Sequence, residues 1–122
     1  MDAKSVVAIL QSHYPNRPVI QLPVNNPTEI ICEVTQDAQS STAIAVIDHS
    51  IPHHHNHIVE TYTVLQGQLC LNIDGVEHLL SEGNSFIIHP QQVHWAQGGA
   101  WIKVVCIPPW TPEDHILEET NN

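Results

Sequence analysis

Positive charge is the scarcest thing in this chain. Only three of its 122 residues are Lys or Arg (Lys4, Arg17, Lys103), against thirteen Asp and Glu, for a formal charge of −10 at pH 7. A surface of that sign repels polyanions, which argues against nucleic acid and anionic membrane as partners. Long apolar runs are missing as well, since no stretch approaches the roughly 20 residues that a membrane span requires. Met1–Gln11 has neither the long apolar core nor the cleavage site of a secretory signal, so a cytoplasmic protein is expected. Cysteine is limited to Cys32, Cys70 and Cys106, far apart in apolar runs and with no C-x-x-C spacing. That pattern suits buried thiols in a reducing compartment. Charged residues make up 13% and hydrophobic ones 42%, so the chain is globular and not disordered.

Helical periodicity is also rare. Residues 3–13 place Val6, Ile9, Leu10 and His13 at helical spacing, and Pro15 ends the run. This stripe either covers one end of the core or meets a partner subunit, and a homodimer is expected. Prolines at 18, 23 and 27 predict an extended, irregular segment. The rest is a succession of short strand signals: 29–34, 41–48, 60–66, 68–74, 76–80, 85–89, 93–96 and 101–107. Asp74-Gly75 is a hairpin signal, Glu82-Gly83-Asn84 a turn, and Gly98-Gly99 a further turn before the last strand. Thr111, Pro112 and Asp114 form a capping-box pattern that predicts a short C-terminal helix through Glu119. The expected fold is therefore all-β, an antiparallel barrel with a short helix at each end. One domain is expected over 1–122, with an arm (1–28), a barrel (29–107) and a C-terminal tail (108–122).

What the chain has in excess is histidine, ten in all. Four fall within the run IPHHHNHIVE at residues 51–60. Imidazole serves either as a pH switch or as a metal ligand. Side chains on a strand alternate faces, so His53 and His55 point one way and His54 the other. Glu60 opens the next strand, with Tyr62 on its face, and His94 is the best candidate for a ligand from a separate strand.

The spacing His53-x-His55-x4-Glu60-x6-Gly67 resembles the first motif of the cupin superfamily, with Ile47 at the motif's leading glycine. The second motif is matched at Gly83 and His94, while His89, Gln91 and Gly98 replace its proline, glycine and asparagine. The resemblance runs from about Thr42 to Ile107 and implies a double-stranded β-helix, a conical barrel of jelly-roll type. It further implies one divalent ion (Fe2+, Mn2+, Ni2+, Co2+ or Zn2+) held by His53, His55, Glu60 and His94, with one or two positions left for water or substrate. Glu60 is also a candidate base and Tyr62 a candidate catalytic residue. His57 and His89 are candidates for outer or alternative ligands, and His49, His78 and His115 for surface residues. The implied partner is a small polar acid, sugar or enolisable compound. Dioxygenase chemistry ranks slightly ahead of isomerase, decarboxylase or lyase chemistry, and metal-dependent binding or sensing is the rival from another class.

Overall fold

The computed structural model describes residues 1–118. Helix α1 (Ala3–His13) is followed by strands β1 (Val19–Leu22), β2 (Glu29–Gln36), β3 (Ser41–His49), β4 (His53–His54) and β5 (Val59–Gln66). Strands β6 (Gln68–Ile73), β7 (Val76–Ser81), β8 (Ser85–Ile88), β9 (His94–Ile107) and β10 (Ile116–Leu117) complete the chain. The pairings are antiparallel throughout, and the sheet curls into an all-β barrel. No helix among the described residues is long and apolar enough to cross a membrane.

Strand β9 joins the two walls. Its first residues pair with β6 and β4, and its later ones with β3 and β5. Gly98-Gly99, expected to be a turn, is instead a bend within this one strand. The register with β3 slips there, from Ile47↔Ala100 to His49↔Gln97. Gly98 has φ +133, and a Cβ on it would lie 2.5 Å from the Gln68 carbonyl oxygen, so only glycine fits this crossing.

Alternation along the strands separates two apolar clusters. Leu69, Leu71 and Ile73 of β6 point inward with Val64, Ile88 and Ile102 to fill the barrel. On β2, Ile30 and Cys32 face outward and pack with Ile44 against Leu10 of α1. The helix stripe is thus covered by the chain's own sheet. The buried side runs through Ala3, Val6, Val7 and Leu10, while Ile9 and His13 are exposed. Asp2 caps the helix by accepting from the Ser5 N–H.

Two expectations fail at the edges. The proline-rich segment contains a strand, because Val19–Leu22 finds a partner in β2. After Pro109 there is only one 3-10 turn, Pro112–Asp114, followed by β10 pairing with β4. Thr111 makes no side-chain cap bond. The Asp114 carboxylate accepts instead from the backbone N–H groups of Asn56 (2.8 Å) and His57 (3.0 Å), so the expected capping residue ties the tail to the histidine run. Glu119, the expected helix end, lies outside the described residues.

Candidate metal centre

Four ligand-type side chains converge inside the barrel. His53 on β4, His55 after it, Glu60 on β5 and His94 at the start of β9 are all buried, with one ligand atom from each within 4.8 Å of the others. Donors about 2.0–2.2 Å from one ion are at most about 4.4 Å apart, so a small inward shift closes the sphere. Cross-strand pairing of His53 with His94 sets one edge of the group.

Each imidazole is oriented by a backbone carbonyl. The Nδ1 atoms contact the carbonyl oxygens of Ile51 (2.8 Å), Asp114 (2.6 Å) and Gln92 (3.0 Å), for His53, His55 and His94 in turn. A carbonyl only accepts, so Nδ1 carries the hydrogen and Nε2 of a neutral ring keeps its lone pair for a metal. The Nε2 atoms of His55 and His94 lie 3.0 and 3.1 Å from Glu60 Oε1. All three atoms are buried, and none has a hydrogen-bond partner. Buried polar atoms left unpaired are costly. An ion at their centre would satisfy them together, and the residues present fit one.

Charge follows from this packing. Burial, and then the neighbouring His94 and His115, push His53 down to about 3. Burial works against the charged forms of His55 and Glu60, but their mutual attraction outweighs it. His55 is raised, and Glu60 is held below the usual carboxylate range by His55 and His94. The Cys106 thiol donates to Glu60 Oε2 at 3.6 Å, and burial together with the Glu60 charge keeps that thiol protonated. Oε2 is thereby occupied and Oε1 is left facing the imidazoles.

The accessible side of the cluster opens on a cavity of about 60 Å³ whose lining includes His53, Glu60, Tyr62 and Cys106. The small residues Ser41, Ala43 and Ala45 on the inward face of β3 leave this space. Beyond it lies a groove of about 420 Å³, and the two share Ile20, Glu29, Ile31, Trp110 and His115. Neither is lined by Lys or Arg.

Tyr62, on the same face as Glu60, lines the cavity, its hydroxyl pushed well above its ordinary range by burial and by the charges of Glu60 and Glu29. His54 points away from the cluster and contacts Glu118. His57 is exposed and bonds to Asp114 only through its backbone. His89 is exposed as well, its N–H donating to Gln92. Neither joins the four-residue cluster. Gln91, at the motif's glycine, adopts φ +73, a backbone that suits glycine, and its N–H donates to the His55 carbonyl.

His49 is exposed beside Trp95, but His78 is half-buried against Phe86. His115 is the clearest correction. Expected on the surface, it stacks on His53 with ring centroids 4.3 Å apart, and burial pushes it down to about 4. It reaches the cavity because Asp114 anchors the tail.

Glu29 escaped the sequence reading altogether, since nothing marks the first residue of a strand as special. It is 8% exposed, and burial, with the Glu60 charge, raises it to about 7. A raised carboxyl contributes stability in full below about pH 4.5 and loses it as pH rises to about 7. Ionised at higher pH, Glu29 costs on the order of 3 kcal/mol.

These directions predict how protons compete with metal. His53 stays neutral until well below pH 5, while His55 holds its proton more tightly than a free imidazole does, so zinc displaces a proton from His55 and none from His53. Log affinity for zinc should therefore rise with pH through the histidine range, but less steeply than three free imidazoles would give, because His53 carries no proton to displace. Calorimetric titration across that range checks the slope. Affinity independent of pH would remove the histidines from the ligand set.

Comparison with known proteins agrees with this geometry. Residues 43–100 match the family model of the cupin domain. No curated protein matches the chain in sequence. Among solved structures, KdgF from Halomonas sp. is similar with a TM-score of 0.67 and 17% identity, over 79% of this chain and 89% of that one. Pac13 from Streptomyces, solved with uridine, has a TM-score of 0.74 and 12% identity over 87% of this chain and 88% of its own. An RmlC-like cupin from Shewanella frigidimarina gives 0.65 and 17%, over 83% of this chain and 94% of that one. With the motif residues gathered at one point inside an antiparallel barrel, residues 43–100 match the cupin domain in sequence and the chain has the cupin fold.

Proposed function

We propose that the protein is a metal-dependent enzyme that performs lyase or isomerase chemistry on a small hydroxylated or enolisable compound. The observation that carries this is the convergence of Nε2 from His55 and His94 with Glu60 Oε1, buried and unpaired beside a cavity. One first-row divalent ion would be held by His53, His55, Glu60 and His94. When bound, it supplies Lewis acidity, holding a substrate oxygen and stabilising negative charge that develops on it. Tyr62, kept protonated, donates a hydrogen bond into the cavity. Glu60, with Oε2 engaged by Cys106 and Oε1 facing the imidazoles, serves as a ligand and not as a mobile base.

Oxygenation, ranked first from the sequence, is placed second because Tyr62 and the buried Glu29 beside the cluster suit the proton transfers that lyase and isomerase chemistry requires. Pac13 supports the choice by analogy, as a nucleoside dehydratase of similar fold. A passive binder would not need an unpaired carboxyl that weakens the fold.

The test is metal loading followed by turnover screening. One ion per chain is expected, and His53→Ala and His94→Ala should each weaken zinc affinity on the order of 100-fold. Dehydration or isomerisation should proceed with redox-inert zinc. Undiminished metal binding in the double variant would remove the site, and turnover only with iron and O2 would reverse the reaction class.

A homodimer is also proposed, resting not on α1 but on the exposed Ile87 and Ile107 flanking β5 on the outer face. Light scattering at micromolar concentration should give twice the chain mass of 13.6 kDa, and a monomer would exclude this assembly.

A further inference from the structure

Glu29 sits where the metal cavity meets the outer groove, lining both. Alternation on β2 puts it there, because Glu29, Ile31 and Glu33 take the inward face while Ile30 and Cys32 pack under the helix. Two other carboxylates border the same cavity, and both are engaged. Glu33 pairs with Arg17 at 3.7 Å, and Glu60 faces the imidazoles. Glu29 makes no hydrogen bond or ion pair among the described residues, and only the charge of Glu60 acts on it besides burial.

The groove beyond is apolar, with Ile20, Leu22, Pro23, Val24, Ile51 and Leu117 among its walls. Its volume of about 420 Å³ is that of a small-molecule site. A ligand entering it meets no cationic side chain. The three basic residues are the exposed Lys4 and Lys103 and the paired Arg17, all outside both linings.

We infer that Glu29 is the proton-accepting catalytic residue of this site, and that the substrate is an uncharged molecule with an apolar body and an acidic O–H or C–H at its metal-facing end. The inference rests on the metal-dependent reading above. In the step it assigns, the substrate's O–H or C–H bond breaks and the electron pair stays on the substrate. The proton bonds to a Glu29 carboxylate oxygen, so no net charge leaves the pocket. The other titratable groups around Glu29 do not compete for the role. Tyr62 is a donor, His115 stacks on His53, His49 is exposed at the groove, and Glu33 and Glu60 are engaged. Buried and without a partner where the two cavities meet, the Glu29 carboxyl is raised chiefly by burial, which makes it a stronger proton acceptor than a free carboxylate.

Benzohydroxamic acid is a suitable probe, being neutral, apolar at one end and able to chelate a metal once it loses its proton. Zinc-loaded protein is titrated with it at pH 8 by calorimetry in buffers of different ionisation enthalpy, which counts the protons released. The wild type should release about one proton fewer than Glu29→Gln, whereas Glu33→Gln should match the wild type. Acetohydroxamic acid, lacking the apolar body, should bind at least about ten-fold more weakly. A carboxyl-carbon NMR measurement on the wild type, independent of any variant, should show the Glu29 carboxyl becoming protonated on probe binding. Equal proton release by wild type and Glu29→Gln, or an unchanged Glu29 carboxyl, would overturn the inference while leaving the metal centre standing. Zinc uptake without benzohydroxamate binding would overturn the ligand class and the inference with it. Failure to take up zinc would overturn the metal-dependent reading and both together.

Discussion

Three carbonyl oxygens decide what the histidines of this protein can do. Those of Ile51, Asp114 and Gln92 each accept the Nδ1 hydrogen of one buried imidazole, and so turn three Nε2 atoms towards a common point. Without these bonds the rings are free to rotate, and neutral imidazole has no fixed tautomer to present. The contacts to Ile51 and Gln92 are local, each two residues before its histidine. The contact to Asp114 spans most of the barrel's sequence, so the site closes only when the C-terminal segment has docked.

The rest of the architecture serves that docking. Strand β9 crosses from one wall to the other at Gly98, bringing His94 beside His53 while its far end carries Cys106 to Glu60. Asp114 then clasps the backbone of Asn56 and His57, which shapes the loop between the paired histidines and Glu60. Docking of the tail also delivers His115 and Trp110 to the mouth of the cavity. The same inward alternation that supplies ligands supplies Glu29, a carboxyl whose ionisation the fold resists. A group that weakens the native state and lacks a structural partner is better explained by chemistry than by packing.

What could be read from the residues was the part governed by period and spacing. The alternation of β6, the Asp74-Gly75 turn and the extent of α1 follow from local pattern, and so does the common face of His53 and His55. His94 was legible because a histidine follows an apolar strand at a recognisable distance. Other features depended on pairing that no local signal encodes. Val19–Leu22 became a strand only because β2 offered an edge. Gly98-Gly99 bends a strand instead of ending it, since the glycines are needed where β9 passes Gln68. The tail's capping-box pattern was outcompeted when Asp114 found backbone donors on another segment. His115 and Glu29 were invisible for the same reason, as both acquire meaning only from what folds against them.

The central claim is that Nε2, and not Nδ1, of the three buried histidines holds the ion. Long-range proton–nitrogen correlation NMR of uniformly nitrogen-15-labelled protein, with and without zinc, tests it directly. With zinc bound, His53, His55 and His94 should each show a protonated Nδ1 and an Nε2 resonance displaced by the metal, while His54 and His57 keep their positions. Displaced Nδ1 resonances on any of the three, or no change at all on adding zinc, would contradict it.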